Sequence, residues 1–359
     1  MAFNDIYIGK KVLITGHTGF KGSWLAIWLT QLGAQVIGYA LAPESKEGIF
    51  EQSCLTEKIV DIRGDIRDAT KLKETFEKYQ PEYVFHLAAQ PLVRVSYEKP
   101  VETYEVNVMG TINVLECIRS TPSVKVGVLI TTDKCYDNKE QPWGYRECDA
   151  LGGYDPYSSS KAAAEIAIQS WRNAFMKCKL EDSNYKAIAS ARAGNVIGGG
   201  DWATDRLVPD CIRAIQNQQE IVIRYPRATR PWQHVLDPLY GYLKLGELLT
   251  KKPMDYSEAW NFGPTIESII PVEDLVKRII KSYGEGHVRI LQEETAYHEA
   301  QCLNLDSSKA MFKLGWRPML SINQAIEYTV EWYKHYNQQD AYELCIKQIT
   351  GYTQLIESR

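Results

Sequence analysis

Two short constellations in this sequence carry residue types that do chemistry. The first is Tyr157 with Lys161, spaced i and i+4 within DPYSSSKAAAEIAIQSW (155–171). Asp155 and Pro156 open that stretch and helix formers fill it, so it reads as a helix. Positions four apart share a helix face. An ammonium beside a phenol lowers the phenol's pKa, which suits Tyr157 to take a proton from a hydroxyl while the same carbon gives up a hydride. The second constellation is Thr131-Thr132-Asp133-Lys134, at the polar end of the apolar run KVGVLITTDKCY (125–136). Thr132 offers a hydrogen bond to a substrate hydroxyl, and Asp133 and Lys134 add an acid and a cation. Each has a plainer reading: a Tyr–Lys pair snorkelling on a helix surface, and a turn with a solvated charge pair. Their position relative to a glycine loop near the chain start argues for chemistry in both.

That loop is TGHTGFKG (15–22). The lysine-led apolar run KKVLIT (10–15) precedes it and reads as a buried strand. The stretch SWLAIWLTQLG (23–33) follows, apolar on most faces and ending at glycine, and reads as a buried helix. Strand, glycine turn and helix together form a cradle for a dinucleotide. Gly16 takes the tight turn, Gly19 lets the backbone approach a pyrophosphate, and Gly22 lets helix and strand pack closely. The helix N-terminus offers free N–H groups to phosphates. Further strands are expected at AQVIGY (34–39), KIVDIRGDIRD (58–68, with its loop), YVFHLAAQ (83–90), 125–136 and YKAIASARAGNVIG (185–198, with its loop), with long helices over 100–120 and 155–171. This alternation predicts an α/β fold with a doubly wound parallel, Rossmann-type sheet. At the end of the second strand Ala40 and Ala42 stand where an acidic ribose-binding residue is common, and Glu44 comes late. No arginine there favours a 2′-phosphate, so NAD is the expected cofactor, with weak ribose recognition.

The spacing G-x-x-G-x-x-G, rather than G-x-G-x-x-G, resembles the extended short-chain dehydrogenase/reductase family. The stretches TGHTGFKGSWLA, TTDKCYDN, GGYDPYSSSKAAAE and RAGNVIGGGDWATDRLVPD resemble that family's nucleotide-sugar 4,6-dehydratases over most of the chain. The resemblance implies a hydro-lyase that works by internal oxidation at C4, loss of water across C5–C6 and reduction at C6. Its product would lead to deoxysugars of surface polysaccharide. It implies catalytic roles for Thr132, Asp133, Lys134, Tyr157 and Lys161. Relatives commonly carry Thr-Asp-Glu where this chain has Thr132-Asp133-Lys134, so Lys134 is either the C5 base or a cation that stabilises the enolate. Cofactor contacts are implied for Gly16, His17, Gly19, Phe20, Lys21, Gly22, Asp65, Ile66, Leu87, Ala88, Ala89 and Thr131, besides Tyr157 and Lys161. Asp65 or Asp68 can alternatively cap the next helix. His17 and Lys21 depart from the family's usual small or apolar choices. Substrate contacts are implied for Asn195, Arg206, Leu207, Arg224, Arg230 and His298. Asn107 is expected to brace active-site backbone, while His86 and His234 read as structural. An epimerase would need no acid and cation after Thr132, and a cofactor sensor would not need the Tyr–Lys pair.

The 359 residues are 45% hydrophobic and 24% charged, with a net charge of −4. That balance gives no argument for a nucleic-acid or membrane partner. No signal peptide or membrane span is apparent, so a cytoplasmic enzyme acting on a small nucleotide sugar is expected. Eight cysteines (54, 117, 135, 148, 178, 211, 302 and 345) never fall at C-x-x-C spacing, so no metal site is expected and free thiols are. After residue 198 the pattern changes, and no Pro/Gly linker marks the change. Two interleaved domains are expected: 1–197 plus 233–265 binding the dinucleotide, and a smaller α+β part, 198–232 plus 266–340, binding the nucleotide sugar. The tail 341–359 shows patchy helical periodicity. The resemblance implies a homodimer or a dimer of dimers, built on helices 100–120 and 155–175.

Overall fold

The computed structural model describes residues 2–176, 185–291 and 302–358. Its centre is a seven-stranded sheet of β1 (Lys11–Thr15), β2 (Gln35–Ala40), β3 (Val60–Arg63), β4 (Tyr83–His86), β5 (Val126–Ile130), β6 (Ala187–Ala193) and, further along the chain, Ala259–Phe262. Every pairing is parallel, and the order is Ala259–Phe262, β6, β5, β4, β1, β2, β3. Strand order reverses between β1 and β4, which opens a crevice beyond their carboxyl ends where ligands bind in such sheets. The strands are apolar on both faces because helices cover both: β1 reads eBBBB and β5 is buried throughout.

The first helix, α1 (Phe20–Gln31), begins three residues earlier than its apolar run, inside the glycine loop itself. It is buried from Gly22 to Leu29 on all faces, as a helix sandwiched between layers must be. Next come α2 (Ile49–Gln52), α3 (Ala69–Tyr79) and α4 (Val93–Glu98). The expected helix over 100–120 is continuous but not uniform. It runs as α5 (Pro100–Tyr104), a π-helical stretch Glu105–Gly110, and α6 (Thr111–Ser120). Asn107 lies in the π stretch. Its Oδ1 accepts from Gln90 N at 2.9 Å, and its Nδ2 donates to Gln90 O and Ser160 Oγ at 3.1 and 2.9 Å. The asparagine thus braces the loop after β4 against α7 (Pro156–Phe175). The run 83–90 pairs only as far as His86, because the small residues after it turn across the glycine loop.

Beyond β6 the chain continues as β7 (Val196–Ile197), α8 (Leu207–Gln216), β8 (Glu220–Ile223), β9 (Thr229–Pro231) and β10 (Gln233–His234). After α9 (Leu236–Lys251) and α10 (Pro253–Tyr256), the chain returns to the main sheet as β11 (Ala259–Phe262). It leaves again through β12 (Ile269–Pro271), α11 (Val272–Tyr283) and β13 (His287–Ile290). Three two-stranded ladders, β7–β10, β9–β12 and β8–β13, tie these pieces together. The chain closes with α12 (Ser308–Leu314), α13 (Ile322–His335) and α14 (Ala341–Glu357).

The tail of patchy periodicity is therefore a 17-residue helix, capped by Asp340. It packs on α1 and α13 through buried Leu344, Cys345, Ile349 and Tyr352. Among the described residues, no helix is long and apolar enough to cross a membrane.

Candidate active site

A cleft of about 1610 Å³ opens at the carboxyl ends of β1, β4, β5 and β6, roofed by the loops of the smaller part. The glycine loop forms one wall. Gly16 has φ +79°, and a Cβ there would stand 2.6 Å from Ala88 N. A Cβ at Gly22 would stand 2.1 Å from Gly16 O. Neither position admits a side chain, so loop, strand end and α1 approach as closely as a dinucleotide cradle requires. Gly19 is the N-cap of α1 and supplies no side-chain cap, which leaves first-turn N–H groups free for a phosphate. Phe20, Lys21, Leu87, Ala88, Ala89, Asp65 and Ile66 all line the cleft. The residues present fit NAD at this wall.

Asp65 does not cap α3. Asp68 does, accepting from Lys71 N at 3.0 Å. Asp65 instead accepts from Arg67 N at 2.8 Å and pairs with its guanidinium at 2.6 Å, which holds the carboxyl below its ordinary pKa and ionised at the cleft edge.

His17 departs from its expected place. It is fully buried behind the loop and does not line the cleft. Its Nε2 meets Asp61 Oδ1 at 2.8 Å, and its ring lies edge-on to Phe50. Gly38 in β2 makes the room: a Cβ there would stand 2.3 Å from the imidazole. Asp61 in turn accepts from Arg63 Nη2 at 2.8 Å, and Arg63 Nη1 donates to Leu41 O at 3.1 Å. An arginine therefore does stand beside the end of β2. Sequence reasoning missed it because Arg63 belongs to β3, which pairs with β2 so that Arg63 faces Ala40.

The opposite wall comes from β5 and α7. Thr132 is the N-cap of a 3-10 turn, Asp133–Cys135. Thr131, Thr132, Asp133 and Lys134 line the cleft. Asp133 is 3% exposed. Burial raises its pKa against the pull of Lys134, a hydrogen bond from Thr132 at 3.0 Å, Arg230 and Lys21. A Cβ at Gly194 would stand 2.6 Å from Asp133 Oδ2, so a glycine is needed where β6 passes the acid.

Tyr157 and Lys161 share the cleft-facing side of α7. Burial pushes the Tyr157 phenol up to about 12, while Thr132 and Arg206 pull it down and Asp133 pushes it further up. Lys161 is itself lowered to about 8 by burial. The groups that favour a phenolate here are thus the Thr132 hydroxyl and Arg206, which spacing along the helix did not suggest, rather than Lys161. Lys21 also falls to about 8, by burial and by the repulsion of Arg206 and Lys161.

Asn195, Arg206, Leu207, Arg224 and Arg230 line the roof. Arg206 donates to Asp201 Oδ2 at 2.9 Å. Arg94 on α4, which no sequence pattern marked, reaches across the mouth to Asp205 Oδ1 at 2.8 Å, and Arg224 lies 3.7 Å from the same oxygen. His298 falls outside the described residues. His86 is satisfied between Thr15 Oγ1 at 2.7 Å and Thr111 Oγ1 at 3.0 Å. His234 is buried against Trp24 and Tyr328, and burial alone drops its pKa to about 3.

The model of the family described as GDP-mannose 4,6 dehydratase matches residues 13–329. The chain belongs to this family. The CDP-glucose 4,6-dehydratase of Salmonella typhimurium is 46% identical over 347 residues, 97% of each chain. The human dTDP-D-glucose 4,6-dehydratase is 27% identical over 90% of each. Among solved structures, a dTDP-glucose 4,6-dehydratase from Bacillus anthracis in complex with NAD superposes with a TM-score of 0.74 at 19% identity, over 93% of this chain and all of that one. A UDP-glucose 4-epimerase from Thermotoga maritima with UDP-glucose gives 0.77 at 22%, over 91% and 100%. At those identities the two structures establish the fold alone.

Proposed function

We propose that this chain is an NAD-dependent lyase that converts CDP-D-glucose to CDP-4-dehydro-6-deoxy-D-glucose. The observation that carries the reading is the set Thr132-Asp133-Lys134 facing Tyr157. An acid held above its ordinary pKa and a cation stand beside the phenol, which dehydration needs and 4-epimerisation does not. The 46% identity over nearly the whole length to a CDP-glucose 4,6-dehydratase supports cytidine as the base.

The glycine loop of Gly16, Gly19 and Gly22 would hold NAD, which would supply a hydride acceptor for C4 and a hydride donor for C6. The chain's residues do the rest. Tyr157 takes the proton of the 4-hydroxyl, with Thr132 hydrogen-bonded to it and Lys161 supplying positive charge on the same helix face. The 4-keto group makes the C5 proton acidic. Lys134 either removes that proton as an amine, or stabilises the enolate as an ammonium while another group takes the proton. Asp133, protonated, gives its proton to the departing C6 hydroxyl, so one water leaves. A proton returns to C5 as C6 is reduced. Atoms balance as loss of one water with no external reductant.

Arg206, Arg224 and Arg230 offer guanidinium forks to the diphosphate, and Asn195 and Leu207 line the sugar end. The interleaved division fits the return of β11 to the main sheet after the first roof segment. A cytoplasmic location fits the free thiols of all seven described cysteines. A homodimer through α5–α6 and α7 fits the exposure of Val101, Met109, Ile166 and Phe175 along them.

The deciding experiment is incubation with CDP-glucose and with dTDP-, UDP- and GDP-linked hexoses, followed by alkali. A 4-keto chromophore arising fastest from CDP-glucose is the expected result. Isomerised hexose without chromophore would make the protein an epimerase, and preference for another nucleotide would overturn the cytidine assignment.

A further inference from the structure

The face of α7 that carries Tyr157 and Lys161 continues one turn further to Glu165, which the reaction above does not use. Glu165 is 3% exposed, as is Arg192 on β6. Glu165 Oε1 accepts from Thr131 Oγ1 at 2.5 Å, and its Oε2 accepts from Ser190 Oγ at 2.7 Å and Arg192 Nη2 at 2.8 Å. Arg192 Nη1 donates to the Tyr136 hydroxyl at 2.7 Å, and that hydroxyl donates to Asn261 Oδ1 at 2.8 Å. Thr131 and Tyr136 are the two ends of the segment that carries Thr132, Asp133 and Lys134. Both ends are thus tied to one buried ion pair. Such pairs add little net stability, because desolvation offsets their attraction, so a positional role is the better account of one.

We propose that Glu165 and Arg192 are positioning residues that clamp both ends of the 131–136 segment, and that Glu165 also keeps the Lys161 ammonium charged. The kinetic part of this inference rests on the dehydratase reading. Charged and titratable groups reach Lys161 from every side: Glu165 on its own helix, Cys135 in the turn after β5, His86 on β4 and Lys21 on α1. Burial pushes the Cys135 thiol far up and drops His86 to about 3, so both are neutral near pH 7. Lys21 repels. Of these four groups, Glu165 alone is an anion. Without its charge the Lys161 pKa falls further, and the ammonium is lost at a lower pH.

The test compares NAD-loaded wild type with Glu165→Gln and Thr131→Val. Glu165→Gln is expected to lower kcat by about 10-fold or more with KM for CDP-glucose within about 3-fold, and to move the alkaline limb of kcat to lower pH. Thr131→Val removes a tether but keeps the charge, so kcat falls and the alkaline limb stays in place. An unmoved limb in Glu165→Gln overturns the electrostatic role, and an undiminished kcat in Thr131→Val overturns the clamp. Should Glu165→Gln fail to fold with Arg192 left unpaired, Glu165→Gln/Arg192→Met removes both charges and tests the clamp, which an undiminished kcat in that variant overturns. Acetic anhydride labelling of Lys161 against pH, read by mass spectrometry, gives a turnover-free measure. Half-labelling at lower pH in the Gln variant supports the inference whatever the substrate, and an unchanged value overturns it. A wild type inactive on CDP-glucose would overturn the functional reading alone.

Discussion

Burial pushes the Tyr157 phenol up to about 12, and only its phenolate can take the proton of the 4-hydroxyl. Its proton-accepting work therefore depends on the positive charges and donors around it. Replacing the hydroxyl leaves the fold and the arginines of the roof in place. Tyr157→Phe is expected to lose about 10³-fold in turnover, within the range usual for general acid–base groups, while binding CDP normally in calorimetry. Turnover near normal would remove Tyr157 from the base role. Lys134 separates two charge states of one side chain. If it works as an amine, Lys134→Met stops deuterium uptake at C5 yet leaves C4 oxidation visible in single turnover. If it works as a cation, uptake slows but persists. Unimpaired exchange and dehydration in that variant would exclude both roles. Asp133→Asn should block loss of the C6 hydroxyl while C5 exchange continues. Because burial raises the Asp133 pKa, its protonated form survives to higher pH than an ordinary aspartate. Dehydration should therefore fade as pH rises through that raised value.

The glycine loop and the strand ends around it govern cofactor retention. β2 ends at Ala40, before Leu41, without a carboxylate of its own, and the local hydrogen-bond chain runs inward from Leu41 through Arg63 and Asp61 to His17. Weak ribose recognition predicts partial loss of NAD on purification and a gain of activity on adding it. A preparation that stays fully loaded through dialysis would contradict this. Gly16→Ala should abolish NAD binding outright in equilibrium dialysis, because the new Cβ would meet Ala88 N at 2.6 Å and the residue has φ +79°. Retained binding in that variant would show that the loop can shift without losing its cradle.

At the scale of the whole molecule, α14 locks the end of the chain onto the first helix layer. Asp237 at the start of α9 is the polar hub of that seam, with Oδ1 accepting from Tyr352 OH and Met319 N, both at 2.7 Å. Burial raises its carboxyl to about 7. An acid whose folded pKa exceeds its unfolded value binds more protons when folded, so stability falls as pH rises from about 4 to about 7, and then levels off. Asp237→Asn keeps the Oδ1 acceptor and removes the titration. Calorimetric melting should then show a smaller loss of Tm between pH 5 and pH 8 than in wild type. Parallel Tm curves for the two proteins would exclude Asp237 as the titrating group.

Most of residues 16–22, with 131–134, Tyr157 and Lys161, were legible as neighbours at one cleft because each owes its place to local spacing: a turn that needs glycine, a strand end, a helix face. The parallel sheet was legible for the same reason, since fully buried strands alternate with helices along the chain. What spacing cannot carry is a contact between distant segments. Arg63 reaches the end of β2 only because β3 pairs beside it, and Arg94 reaches Asp205 only because α4 and the roof loop meet across the cleft. His17 has glycine-loop sequence but turns inward, because Gly38, 21 positions later, leaves a space the size of its ring. The tail reads as patchy because the burial of α14 is divided between α1 and α13, so no single stripe faces one neighbour. Local sequence thus determined which elements carry the residues that line the cleft. Packing between elements decided their charge states, since burial and long-range neighbours set the pKa of Tyr157, Asp133 and Lys161.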